Sequence, residues 1–320
     1  MDVTRRDFLK YSDSASGPAR RQISTWSLPT LPTVNTGTAS PPFSPRDDPP
    51  LKKEETMRIK TATITTNYEL SGPKNAPVVM LSHSLGSTLN MWDPQMTALE
   101  AQHQVLRYDT RGHGASDAPD GAYTLDQLVA DAVALMDALE IQKVNFVGLS
   151  MGGMIAQGLA LKHASRVGRL TLCDTSAFMP PEAQPIVQER IDTARKEGLP
   201  ALVDSTLARW FTPPYLQKKG PGVDMIRSIF LKSSVAGYIG CTEAIRRLNY
   251  LNELPRIKTP TLIMVGADDP GTPVAAAQAI HERIAGSRLV VIPSASHLCN
   301  IEQAEVFNPN LVEFLSKADS

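Results

Sequence analysis

Cysteine is scarce in this chain. Cys173, Cys241 and Cys299 are the only three in 320 residues. They are odd in number, far apart and without a CxxC pair, which speaks against a disulfide scaffold or a zinc site and fits a reducing compartment. Charge of one sign is also lacking, since 32 Lys+Arg against 33 Asp+Glu leave a net −1. A nucleic-acid binder needs a basic excess or stripe, and neither is present. No run of 18 apolar residues exists, so no membrane-spanning helix is expected. No internal repeat is visible. What remains is a chain that is 42% hydrophobic and 20% charged. That is enough apolar material for a core and excludes a wholly disordered protein.

Proline is abundant and uneven. Of 25 prolines, eight lie before residue 57, together with seven serines. Residues 1–56 show neither helical nor strand periodicity, and they are read as a disordered N-terminal extension. Thr4-Arg5-Arg6-Asp7-Phe8-Leu9-Lys10 resembles a twin-arginine export motif. An export signal then needs an apolar stretch, and Asp13, Arg20 and Arg21 interrupt it. A cytoplasmic location is therefore expected.

From Met57 onward strands alternate with helices. Residues 57–69 suggest a hairpin or edge pair. Residues 77–83 form a continuous apolar run, the pattern of a strand buried on both faces. Further strands are expected at 105–108, 144–149, 170–173, 261–265 and 289–292. Thr124 with Gln127 three residues later predicts a capping box, followed by helical spacing to Leu139. More helices are expected at 151–163, 274–285 and 304–315. Strand–helix alternation implies a mostly parallel sheet covered on both faces. Residues 178–255 contain helical patterns at 186–197 and 202–210 but no convincing strand. They read as a helical cap inserted into a core formed by 57–177 and 256–320.

Gly148-Leu149-Ser150-Met151-Gly152 matches G-x-S-x-G between a buried strand and a helix, the setting of a nucleophile elbow. Ser150 would sit at a helix N-terminus, where free N–H groups favour negative charge. A serine hydroxyl needs a base, and this motif is followed in chain order by an acid and then a histidine. Gly266-Ala267-Asp268-Asp269-Pro270 follows one late strand, and His297 follows the next. His297 is the expected general base. Asp269 is the expected orienting acid, with Asp268 the weaker choice and a capping role open to one of the two. An oxyanion hole needs two fixed N–H donors. Met151, after the nucleophile, and Leu85, in the loop His83-Ser84-Leu85-Gly86, are the candidates. His83 reads as a loop-packing residue.

With these stretches the chain resembles the α/β-hydrolase family, and within it the 3-oxoadipate enol-lactonases. The resemblance also rests on Met91-Trp92-Asp93-Pro94-Gln95, on the run from Arg107 to Gly114, on Leu172-Cys173-Asp174-Thr175, on Arg209-Trp210-Phe211-Thr212-Pro213 and on Gly237-Tyr238. It covers about residues 57–318. The elbow and triad belong to the whole superfamily. The Arg107–Gly114 run and the aromatic stretch at 210–213 point more narrowly to the lactonases. The resemblance implies an α/β-hydrolase fold and hydrolysis of 3-oxoadipate enol-lactone through an acyl-enzyme, with no cofactor and no metal. The implied partner is a small lactone or ester, with neither nucleic acid nor membrane involved. Ser84, Trp92, Trp210 and Phe211 are the expected pocket residues. Arg190, Arg195, Arg209 and Arg227 are candidates for the substrate's carboxylate. A general carboxylesterase, a C–C bond hydrolase or a cofactor-free perhydrolase would use the same machinery, and a non-catalytic binding module on this fold is the distant alternative. If the extension is disordered, brief protease treatment will leave a stable fragment starting near residue 57. Protection of residues 1–56, read by mass spectrometry, would refute that expectation.

Overall fold

The computed structural model describes residues 57–317. The expected extension and its arginine motif lie outside the described residues. Eight strands form one sheet. They are β1 (Met57–Lys60), β2 (Thr65–Ser71), β3 (Val78–Ser82) and β4 (Gln104–Tyr108). β5 (Val144–Leu149), β6 (Val167–Cys173), β7 (Thr261–Gly266) and β8 (Arg288–Ile292) complete it. The spatial order is β1-β2-β4-β3-β5-β6-β7-β8. β1 and β2 pair antiparallel with each other and β2 pairs antiparallel with β4, while every later pairing is parallel. The sheet is mostly parallel, as the alternation predicted, and its architecture is the α/β-hydrolase fold that the resemblance implied.

Side chains alternate across a strand, and β3 shows the result. Met80 joins the core on one face, while Val79 and Leu81 join the core on the other. The first face is covered by α2 (Leu125–Ala138) and α3 (Met151–Lys162). The other is covered by α1 (Asp93–Glu100) and, near the carboxyl end of the chain, by a helix over Ala304–Leu315. The predicted capping box starts α2. The Gln127 N–H donates to Thr124 Oγ1 at 3.1 Å, and the Thr124 N–H donates to Gln127 Oε1 at 2.9 Å.

Between β6 and β7 the chain forms α4 (Gln184–Glu197), α5 (Val203–Trp210), α6 (Pro213–Gln217), α7 (Pro221–Lys232) and α8 (Val235–Ile245). After β7 come α9 (Val274–His281), α10 (Cys299–Glu302) and α11, the Ala304–Leu315 helix. α9 stops short of the expected Ala285. Among the described residues no helix is long and apolar enough to cross a membrane.

α3 lies unusually close to the sheet. A Cβ on Gly152 would overlap the Ser82 carbonyl, and one on Gly148 would overlap the Gly152 carbonyl. Both obstacles are backbone, so neither can swing away. Gly152→Ala gains about 1 kcal/mol in helix propensity, but the overlap costs about 2 kcal/mol or more. The variant should therefore unfold at lower urea than the wild type, and an unchanged midpoint would refute the close-packing argument.

Candidate active site

β3 and β5 are neighbours, although the chain visits β4 between them. Such a reversal of strand order opens a crevice at the carboxyl edge of a parallel sheet. The loop after β3 and the elbow after β5 both emerge there, because Ser82 pairs with Gly148 in register. Ser150 has φ 58° and ψ −115°, a conformation that costs a residue with a Cβ. Its surroundings hold it there. The Ser150 N–H donates to the Cys173 carbonyl at 2.8 Å, and Thr175 Oγ1 donates to the Ser150 carbonyl at 2.7 Å. The Ser150 hydroxyl has no hydrogen-bond partner among the described residues and lines a cavity.

His297 and Asp269 line the same cavity. His297 Nδ1 donates to Asp269 Oδ2 at 2.7 Å. This leaves Nε2 as the ring nitrogen able to take a proton. Asp269 is buried and Asp268 exposed, so the sequence's open choice falls to Asp269 on geometry. Asp269 is further held by the N–H groups of Gly271 (2.7 Å) and Thr272 (3.1 Å) and by Thr272 Oγ1 at 2.5 Å. It makes the local turn and meets the histidine with one carboxylate. Burial alone would raise its pKa, but the His297 charge and these hydrogen bonds bring it down to about 2. Burial alone would lower the pKa of His297, but the Asp269 carboxylate outweighs it and holds the imidazole above its ordinary value. Trp210 stacks on the ring, centroids 6.2 Å apart.

The cavity is small, about 170 Å³, below the usual range for drug-sized ligands. Ser84, Leu85 and Trp210 also line it. Trp92 and Phe211 do not, which corrects their expected pocket role. Trp92 is fully buried against Phe307, and Phe211 is buried in a stack on Tyr215. A cleft of about 460 Å³ lies at the opposite edge of the sheet beside His103 and Lys143. It lacks a histidine–carboxylate pair among the described residues.

Residues 77–201 match the family model described as the alpha/beta hydrolase fold. The chain is 38% identical to 3-oxoadipate enol-lactonase 2 of Acinetobacter baylyi over 77% of this chain and 91% of that one. This chain belongs to the α/β-hydrolase family. Among solved structures it is similar to an enol-lactonase from Burkholderia xenovorans LB400, with a TM-score of 0.79 and 41% identity over 82% of this chain and all of that one. A malate-bound thermophilic esterase from Thermogutta terrifontis is also similar, with a TM-score of 0.76 and 28% identity over 82% of this chain and 98% of that one.

In this α/β hydrolase the loop after β3 is positioned by two buried histidines. His83 Nδ1 donates to the Ser84 carbonyl at 2.7 Å, and its Nε2 accepts from the Thr110 N–H at 2.9 Å. His113 Nε2 accepts from the Gly86 N–H at 2.8 Å. Both rings are neutral. Burial lowers His83 to about 4, and burial together with His83 lowers His113 to about 3. The Leu85 N–H between them has no partner among the described residues. The Met151 N–H, in the first turn of α3, has no acceptor within its own helix. Met151 follows Ser150 in sequence, and Leu85 lines the same cavity as Ser150.

Sequence reasoning gave no role to Thr272 or Asp174. Asp174 follows β6 with φ 40°. Its Oδ1 accepts from the Gly266 N–H at 2.7 Å, and its Oδ2 accepts from Cys299 Sγ at 2.8 Å. Burial, with the Asp269 charge, pushes its pKa up to about 8. Burial thus works against a charge on Asp174, whereas the bonds around Asp269 favour its charge, and Asp269 is the carboxylate that meets His297. The resemblance included Asp174, but only the fold shows that it bonds to Gly266, before the loop of Asp269, and to Cys299, just after His297.

If His297 is the base, kcat/KM rises with pH as the imidazole loses its proton, with a midpoint above the ordinary histidine value. Replacing Asp269 by Asn removes the charge that raises it. The rising limb should then move to lower pH, and the plateau should fall by about 10⁴-fold. A rising limb unmoved in Asp269→Asn would reject the pairing.

Proposed function

We propose that the protein hydrolyses a small lactone, 3-oxoadipate enol-lactone, by way of a Ser150 acyl-enzyme. One observation carries the reading: a strained serine, a charged histidine–aspartate pair and an unpartnered N–H meet in one small cavity. The names of the relatives at 38% and 41% identity support the choice of substrate. In this mechanism Ser150 Oγ attacks the lactone carbonyl and gives its proton to His297 Nε2. Asp269 stabilises the imidazolium. The Leu85 and Met151 N–H groups receive the oxyanion. The ring C–O bond then breaks, and the enol oxygen leaves with the proton from His297 and tautomerises to the ketone. Water attacks the acyl-enzyme, His297 takes its proton, and Ser150 is released with the acid.

An enol is a better leaving group than an alkoxide, so the chemistry asks less of the site than an alkyl ester would. Purified wild type should consume the enol-lactone, with loss followed in the ultraviolet. Ser150→Ala should be slower by at least about 10³-fold, with unchanged circular dichroism. Wild type no faster than Ser150→Ala would overturn the reading. Absence of fluorophosphonate labelling at Ser150 would point instead to a binding module.

A further inference from the structure

His297 sits on the loop between β8 and α10, and loops move more than the elements they join. Its bond to Asp269 orients the ring but does not fix the backbone that carries it. Both chain neighbours of His297 spend donors on the helical segment between β6 and β7. The Ser296 hydroxyl donates to the Arg209 carbonyl at 2.8 Å, and the Leu298 N–H donates to the Trp210 carbonyl at 3.0 Å. Trp210 itself covers a face of the imidazole, with 26° between the ring planes. The base is thus bracketed on either side along the chain and stacked across its ring by the end of α5.

One buried side chain closes this arrangement. Glu302, the last residue of α10, has no ion-pair partner among the described residues. Its Oε2 accepts from the Ser296 N–H at 3.0 Å, and its Oε1 accepts from the Thr212 N–H at 3.1 Å and from the Thr212 hydroxyl. Thr212 lies two residues beyond Trp210. A buried carboxylate without a counter-ion is costly unless hydrogen bonds replace its water. This one meets three donors, and they come from two segments far apart in the chain. A carboxylate has only acceptors, whereas a glutamine in its place has one oxygen and an amide that would face one of the two N–H groups. The donor set therefore requires the acid and not merely its shape.

We infer that Glu302 is a positioning residue for His297: it joins Thr212 to Ser296 through one carboxylate, and so sets where the helical segment holds the base. This rests on the proposed hydrolase reading, in which His297 acts. Glu302 touches no reacting atom and does not line the cavity. Its effect passes along two routes, through the Ser296 backbone to His297, and through Thr212 to Trp210 and the face of the ring. A shift of about 1 Å in a catalytic group costs on the order of 100-fold in rate. Loss of Glu302 should then lower turnover and leave substrate affinity nearly as it was.

Trp210 supplies a readout that needs no turnover. A protonated imidazole quenches a stacked indole, so wild-type tryptophan fluorescence should rise as pH passes the His297 pKa, and Trp210→Phe should lack the step. That pKa lies above the ordinary value, because Asp269 and Asp174 together outweigh burial and Arg209. In Glu302→Gln the step should lose most of its amplitude, since the ring no longer stays under Trp210. With p-nitrophenyl acetate, kcat should fall by at least about 10-fold while KM stays within about three-fold. Thr212→Val, which removes only the hydroxyl donor, should act in the same direction, and the double variant should be no worse than Glu302→Gln. A Glu302→Gln with the step and kcat of wild type, or losses that multiply in the double variant, overturns the proposal, whatever happens to the thermal midpoint. If circular dichroism shows Glu302→Gln unfolded, Thr212→Val decides, and a wild-type step and kcat in that variant reject the coupling. A wild type that cleaves neither this ester nor the enol-lactone, yet shows the step and loses it in Glu302→Gln, keeps the positioning role and rejects the hydrolase.

Discussion

The site depends first on how closely α3 is pressed against β3 and β5. The contact is made by backbone, with no side chain at Gly148 or Gly152 to hold the layers apart. Close packing forces the chain to reverse within one residue, and Ser150 takes the left-handed conformation that results. The strain is local, and the network around Ser150 makes any relaxed alternative costly. A wider elbow would carry Ser150 away from the N–H groups beside it. The rest of the site is arranged around a point fixed by this approach of two backbones.

The second fixed object is the His297 loop, which a buried carboxylate sews to the helical segment. Glu302 accepts from the Ser296 N–H at 3.0 Å and from the Thr212 N–H at 3.1 Å, and the Thr212 hydroxyl also donates to it. Ser296 and Leu298 add their bonds to Arg209 and Trp210. The end of α5 and the loop bearing the histidine therefore form one rigid piece. On the other side, α8 approaches the Arg111–Gly112 loop where Gly237 and Gly112 leave no room for side chains. Trp210, Arg209 and His297 owe their relative positions to these ties more than to the walls of the cavity itself.

Much of this was legible in the sequence, and the reasons differ by residue. The β3 run, the capping box at Thr124 and the glycines around Ser150 report local rules that act within a few residues. The order of acid and histidine is a chain-order rule and was equally plain. Asp268 and Asp269 stood level because both follow the same strand, and only burial separates them. Trp92 and Phe211 were misplaced for a related reason: an aromatic residue beside a site looks the same in sequence whether it faces the cavity or the core behind it. The four arginines could not be ranked, since Arg190 and Arg209 line the cavity and Arg195 and Arg227 lie outside it in ion pairs, with the same local pattern. α1, α6, α7 and α8 carried no helix assignment of their own. Several of them open on proline, and their partners lie far along the chain.

The two neutral histidines beneath Leu85 set an acid limit on the fold. An unfolded chain binds a proton at each of them as pH falls below about 6.5. In the native loop, His83 resists until about 4 and His113 until about 3. Their folded values are depressed, so the stability they contribute is complete above the unfolded value and drains away as pH falls toward the folded ones. When His113 is finally charged it can no longer accept from Gly86, and when His83 is charged it can no longer accept from Thr110. Acid thus loosens the segment carrying the Leu85 N–H directly, apart from anything it does to His297, and the loss of that geometry is written into the same bonds that create it.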